Sequence, residues 1–477
     1  MLHSTVPLFQ THLWSLSDCL YINSLSPAVH APKNTSYKKK KKQRENKHTL
    51  ASTHFTAAMA TGPTVQRLSQ KLVGPARQTP SGLLPLSWLD RYPTQRALIE
   101  SLHVFKHGIN PSAVIENAIA EALVSYYPIA GRLVEDDIDG QLSVDCTGEG
   151  VWFIKAKSEC TLKEVDYLEY PLMIPKDEML PHPSPRLSRS EEDSLILLVQ
   201  VTEFACGGFV VGYRFSHCVA DGPGAAQFMS AVGELARGEP NPCIEPAWCR
   251  ECIPNPSNAP IGELPEPSGL RLQYLAMDIS AEYINHFKNQ FLVETKHRCS
   301  AFEVLIAKAW QSRTRAIGFD PDTQIHVCFA MNARPVLHQK LSVGFYGNCY
   351  YIMRVSASAD VIANSSIVEI VKLIKEGKKR LPLEFTKWGN GELSGDPYQI
   401  TSDYKTLLVS DWTRLGFAEV DYGWGQPFHV VPLTNLDYIA TCILVKPSVD
   451  KPGSRLITQC VVPGCVSAFH EGMMSLD

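Results

Sequence analysis

The chain has no run of about 18 apolar residues, the length a helix needs to cross a bilayer, so no membrane-spanning helix is expected. It has no excess of either charge: 45 Lys and Arg stand against 49 Asp and Glu in 477 residues, a net of −4. Such a balance supplies no field to hold a nucleic acid or an anionic membrane, and neither is expected as a partner. The common catalytic signatures are missing as well. There is no G-x-S-x-G elbow, no G-x-x-x-x-G-K-[ST] loop, no H-E-x-x-H and no G-x-G-x-x-G. Serine hydrolase, P-loop NTPase, zinc protease and nucleotide-dependent dehydrogenase lose their usual support. The 14 Cys form no zinc or disulfide frame. Cys249 and Cys252 make a C-x-x-C pair, but it lies in a Pro-rich stretch and no second pair stands at zinc spacing. The others are scattered, often in apolar runs, which reads as free thiols in a reducing compartment, and a cytoplasmic location is expected. No basic segment precedes the first apolar groups, and Gln10, His12, Ser15 and Asp18 interrupt them, so no secretory signal is expected.

What remains is a globular composition, long enough for two or three domains. Residues 1–58 lack periodicity and carry the run Lys38–Lys42, and they read as a disordered extension upstream of Met59. A nuclear-import or lipid tag is the functional alternative for that run. From Met59 the pattern turns to mixed α/β. Val114, Ile115, Ala118, Ile119, Ala122 and Leu123 place one apolar face on a helix over Ser112–Tyr126. Leu195–Val201 and Gly207–Phe215 read as strands, and Pro223–Arg237 as a helix. Residues 59–238 make an N-terminal lobe. The eight prolines of 239–269 mark an irregular connection. Residues 270–477 make a C-terminal lobe, with a capping box at Ser300 and Glu303 opening a helix to Arg315. In it Ile325–Met331 reads as a strand, Ser365–Lys378 as a helix, and Asp437–Lys446 and Arg455–Val462 as late strands.

One stretch can carry chemistry. In Phe215-Ser216-His217-Cys218-Val219-Ala220-Asp221-Gly222 a strand runs straight into a histidine, and Gly222, Pro223 and Gly224 then turn the chain into a helix. A His at the end of a buried strand is held rigidly and can face a cleft. Imidazole titrates near neutrality and can take and return a proton. Of the 15 His, His217 alone has an Asp four residues on. By itself this is also what a core His beside a turn-forming Asp looks like. Late in the chain stands a second element, Asp421-Tyr422-Gly423-Trp424-Gly425.

H-x-x-x-D-G followed by D-[FY]-G-W-G resembles the plant BAHD acyltransferases, which use acyl-CoA thioesters. Tyr126-Tyr127-Pro128-Ile129-Ala130-Gly131-Arg132-Leu133, Leu86-Ser87-Trp88-Leu89-Asp90, Asn332-Ala333-Arg334 and Tyr346-Gly347-Asn348 are similar to other stretches of that family, in the same order, from about Met59 to the C-terminus. The resemblance implies two chloramphenicol-acetyltransferase-like lobes of mixed sheets with a solvent channel between them. It implies His217 as general base, and Asp221 paired with Arg334 as support for the His loop rather than as a triad member. It implies Asp421, Gly423, Trp424 and Gly425 as a structural loop, and Ser410 and Trp412 as hydroxyl and indole beside the reacting carbonyl. Asp411 stands where a Ser is common, and Tyr422 where Phe is usual. Lys296, His297 and Arg298 before the helix capped by Ser300 are the candidate site for the CoA phosphates, since a helix N-terminus favours an anion; a solvated basic turn is the plainer reading. The implied partners are acyl-CoA as co-substrate and a small-molecule alcohol or amine, with no tightly bound cofactor, no metal and a monomeric chain. Likeness is closest to the branch of alcohol benzoyl-, acetyl- and hydroxycinnamoyl-transferases. The expected reaction is transfer of an aromatic acyl group to an alcohol. An amine acceptor, or a non-catalytic relative acting as a binding protein, are the alternatives.

Overall fold

The computed structural model describes residues 63–136, 141–184, 187–256, 262–263, 269–433 and 439–476. The expected extension 1–58 with its lysine run, Met59, Pro260, Pro265, Pro267 and Asp437 lie outside the described residues. Fifteen strands run through the described residues: β1 Val65–Val73, β2 Leu83–Pro85, β3 Leu98–Phe105, β4 Arg132–Glu135, β5 Leu142–Asp145, β6 Val151–Ser158, β7 Leu197–Phe204, β8 Phe209–Ser216, β9 Tyr274–Ile279, β10 Gln324–Asn332, β11 Tyr350–Ser358, β12 Thr406–Asp411, β13 His429–Pro432, β14 Ala440–Val445 and β15 Ser454–Gln459. They form two six-stranded mixed sheets, in the orders β1-β6-β7-β8-β3-β13 and β11-β10-β12-β14-β15-β9, and a small sheet β2-β5-β4.

In the first sheet β8 lies between β7 and β3, antiparallel to both. Its residues Phe209, Val210, Val211, Gly212, Tyr213 and Phe215 are buried, because both faces of the strand are covered. Gly212 is required there, since a Cβ would stand 2.3 Å from the Met179 carbonyl oxygen. The helices Pro111–Ser125 and Gly222–Ala236 bury their apolar faces in the same core. In the second sheet β10 pairs antiparallel with β11 and parallel with β12. The helix Ala301–Ile317 packs beside it, opened by the predicted box: Ser300 Oγ accepts from the Glu303 amide at 3.2 Å, and Glu303 Oε2 accepts from the Ser300 amide at 2.8 Å.

Two features depart from the sequence reading. Residues 270–477 do not all pack in the second lobe. β13 adds to the first sheet, pairing His429 with Val104 and Val431 with Leu102, and Phe417, Val420, Tyr422 and Val430 lie in the first core. The edge of β3 would otherwise leave its N–H and C=O groups unpaired, and the crossing strand satisfies them. Second, β1 carries no apolar alternation, since Gln66–Leu72 is exposed along an edge; its signal is too polar to read as a strand. No helix among the described residues is long and apolar enough to cross a membrane.

Candidate active site

The site starts at the end of β8. The last pairing residue is Ser216, and the chain leaves the sheet at His217. The departing loop is fixed by its backbone. The His217 amide donates to the Ala97 carbonyl at 3.1 Å, and its carbonyl accepts from Asn348 Nδ2 at 2.6 Å. The imidazole is partly buried. Nδ1 is enclosed without a hydrogen-bond partner, and the residue lines a cavity of about 250 Å³ between the two large sheets. β3 and β8 line that cavity from one side, and β10, β11, β12 and β14 from the other. Desolvation lowers the His217 pKa from its ordinary 6.5, against the opposing pull of the Asp221 charge, its own carbonyl, Asn348 and Asp90. The ring is therefore neutral near pH 7.

Asp221 does not reach the imidazole. It caps the helix Gly222–Ala236, accepting from the Gly224 amide at 3.0 Å, and it accepts from the Cys349 amide at 3.1 Å. Its carboxylate takes Arg334 in two parallel bonds, 2.7 Å from Nη1 and 2.8 Å from Nη2. Arg334 Nη2 also donates to the Gly347 carbonyl at 2.9 Å. The pair ties the far end of the His loop to the second lobe.

A second tie escaped the sequence reading. Asp90 and Arg250 form an ion pair at 2.9 Å with side chains 0% and 2% exposed. Asp90 also accepts from the Asn348 amide at 3.1 Å and Asn348 Nδ2 at 2.7 Å, and Arg250 Nη2 donates to the Val219 carbonyl at 2.6 Å. Arg250 thus holds the middle of the His loop. It lies between Cys249 and Cys252, in the stretch read as irregular connection. The only signal was an Arg among prolines, and no local pattern distinguishes that from a solvated charge.

On the opposite wall, Ser410 and Trp412 stand together at the end of β12. Trp412 Nε1 donates to Ser410 Oγ at 3.1 Å, so indole and hydroxyl are arranged in series rather than side by side. Asp411 lines the same cavity, its carboxylate accepting from the Thr413 amide at 3.0 Å and the Thr413 hydroxyl at 2.5 Å.

The Asp421–Gly425 loop is not at the cavity. Asp421 Oδ1 accepts from the amides of Gly423 at 2.7 Å and Gly425 at 2.9 Å, and both glycines adopt positive φ, 103° and 87°. Arg237 donates to the Asp421 carbonyl, and Trp424 meets the Phe209 ring edge-on. The Tyr422 hydroxyl finds a partner: it is buried and bonded to the Tyr213 hydroxyl of β8 at 2.5 Å. The loop therefore clamps the strand that presents His217. Tyr422→Phe should cost about 1–3 kcal/mol, because it leaves the buried Tyr213 hydroxyl alone. Adding Tyr213→Phe should restore most of that stability, which denaturant titration of the two variants checks.

Lys296, Arg298 and Ser300 do not line the cavity. Lys296 ends the helix Ala281–Thr295 in a left-handed conformation, and its Nζ donates to the Val293 carbonyl at 2.8 Å. A cation is well placed at a helix C-terminus. The Arg298 carbonyl accepts from Lys375, and Ser300 is engaged in its cap. The basic turn has a structural account of its own. Among the described residues no group of His, Cys, Asp and Glu could hold a metal.

Comparison with known proteins gives the family and the fold. The model of the "Transferase family" matches residues 64–475. "Acyl transferase 7" of Oryza sativa subsp. japonica is 65% identical over 88% of this chain and 100% of its own length. "Myricetin 3-O-glucosyl 1,2-rhamnoside 6'-O-caffeoyltransferase AT2" of Crocosmia x crocosmiiflora is 41% identical, covering 86% of this chain and 98% of that protein. Among solved structures, vinorine synthase superposes with a TM-score of 0.68 at 19% identity over 87% of this chain and 98% of that one. TRI101 of F. graminearum, complexed with ethyl coenzyme A, gives 0.65 at 13% identity over 81% and 96%. Both show the same fold.

Proposed function

The chain belongs to the Transferase family, that of the plant BAHD acyltransferases, and from that premise we propose that it transfers an aromatic acyl group from acyl-CoA to an alcohol, with His217 as general base. The observation that carries the reading is the His217 ring lining a cavity between the lobes, on a loop held at its middle by Arg250 and at its far end by Arg334. His217 Nε2 removes the proton of the acceptor hydroxyl. The oxygen attacks the thioester carbonyl, and the negative charge forms on the carbonyl oxygen. Ser410 stabilises it: its oxygen accepts from Trp412, which leaves its own proton free to donate to the oxyanion. Collapse breaks the carbon–sulfur bond, and the leaving thiolate takes the proton back from Nε2. No metal is needed, since the thioester is already activated. The CoA-complexed neighbour and the caffeoyltransferase relative support the donor class.

A panel of benzoyl-, acetyl- and hydroxycinnamoyl-CoA with mixed alcohols and amines, read as free CoA, tests the reaction. Silence across the panel would sink it. The amine alternative draws on one observation, the Asp411 carboxylate on the cavity wall, which would attract an ammonium group.

The pH dependence has a defined sign. The base must be unprotonated, and burial lowers its pKa below 6.5. On the acid side kcat/KM should rise with pH through an apparent pKa below 6.5. An acid limb centred above 7 would contradict that environment.

A further inference from the structure

Most of the cavity wall is apolar: Ile99, Phe215, Met229, Ile352, Ile400 and Leu408 set its character. Several of its polar groups are already engaged. Asp221 is held by Arg334, the Tyr398 hydroxyl donates to the Tyr350 carbonyl at 2.7 Å, and Trp412 is spent on Ser410. Gln95 is different. It is 4% exposed and lines the cavity. Its Nε2 donates to the Tyr350 hydroxyl at 2.6 Å and to Thr94 Oγ1 at 3.2 Å. Its Oε1 is buried with no partner. Turning the amide over would exchange which atom is satisfied, but one of the two polar ends is left unpaired either way. An unpaired buried amide end is costly, and an arriving ligand group that bonds it recovers the cost.

The position matters. The Tyr350 ring stands edge-on to the His217 ring with centroids 6.1 Å apart. The segment carrying Gln95 is also bound to the His loop, since Cys218 Sγ donates to the Gln95 carbonyl at 3.3 Å. A molecule whose hydroxyl lies on His217 therefore has the Gln95–Tyr350 pair beside it.

We propose that Gln95, backed by Tyr350, selects the acceptor by bonding a second hydroxyl of the same molecule, so that the chain prefers a diol, polyol or sugar to a simple alcohol. The inference rests on the acyltransferase reading of His217 and deepens it by naming the acceptor class. A preference of this kind follows from discrimination by buried polar groups: a site built to bond a hydroxyl rejects the analogue that lacks it, because the site's own group is left unpaired.

The test uses the full chain, hydroxycinnamoyl-CoA as donor, and two matched probes, 2-phenylethanol and 1-phenylethane-1,2-diol. The wild type should favour the diol by about tenfold in kcat/KM, the return on one buried hydrogen bond. Gln95→Leu should bring the ratio of diol to monol close to one, mainly through the KM of the diol. Tyr350→Phe should move the ratio the same way, and it retains the ring if the Leu variant folds poorly. A wild-type ratio near one, or a Gln95→Leu variant that loses rate equally on both probes, would overturn the assignment. In the second case a changed preference between benzoyl- and hydroxycinnamoyl-CoA would place Gln95 on the donor side. Turnover on neither probe, nor on any member of the panel above, would instead remove the acyltransferase reading itself, and the acceptor preference with it.

Discussion

His217→Ala should lower turnover by about 10²–10⁴-fold and leave the melting temperature nearly where it was. The two halves of that expectation come from different atoms. The rate depends on the imidazole, a titratable group that lines the cavity. The fold depends on the backbone of the same residue, whose amide is bonded to Ala97 and whose carbonyl is bonded to Asn348. Ala keeps both backbone bonds. The ring's Nδ1 has no hydrogen-bond partner, so its removal strands none there. Free-CoA release at saturating substrate measures the first half, and thermal unfolding the second. A variant with near wild-type turnover would mean that the cavity's chemistry does not pass through this ring. A variant that loses rate and cooperative unfolding together would make His217 a core residue, which is the bland reading its motif also allowed.

The legible part of this protein lay where function is local in sequence. His217 and Asp221 are four residues apart on one loop, and a strand followed by Gly222, Pro223 and Gly224 announces the turn between them. The capping box at Ser300 is similarly local and stands as read. The Asp221–Arg334 contact was supplied by family resemblance, not by spacing, because its partners are 113 positions apart. The Asp90–Arg250 pair has the same character and no motif around Arg250 to suggest it. Gln95 and Tyr350 are 255 positions apart and meet only in the folded chain. Lys296 and Arg298 have a further local feature. Their position before a helix N-terminus makes them a candidate anion site, and a second helix ends at the same turn, where Lys296 Nζ donates to the Val293 carbonyl. Nor did the order of segments show that Phe417–Val430 belongs with the first core, since a strand crossing between lobes leaves no trace in local periodicity.

Arg250→Ala should be the most destabilising of the substitutions considered, at about 3–5 kcal/mol. Two ion pairs hold the His loop, and their burial decides which matters more. Arg334 is 19% exposed, so water can reach part of the site if its partner is lost. Arg250 is 2% exposed and Asp90 is fully enclosed, so removing the guanidinium leaves a carboxylate with no cation and no solvent. Asn348 and the Ser87 amide still donate to Asp90, which softens the loss without balancing the charge. The Val219 carbonyl loses its donor in the same step, and Gly347, whose absent Cβ leaves room for the guanidinium, loses the group it packs against. Breaking such a pair differs from replacing it. Asp90→Asn combined with Arg250→Met removes both charges and keeps volume, and should recover a large part of the stability lost by Arg250→Ala alone. Denaturant titration of the single and double variants measures the difference. If the double variant is no more stable than Arg250→Ala, the loss comes from the contacts of Arg250 with Trp248, Phe345 and Val219 rather than from the stranded charge. The folded fraction of Arg250→Ala should also turn over more slowly with KM little changed, because a loosened Val219 moves the imidazole and leaves the walls of the cavity in place.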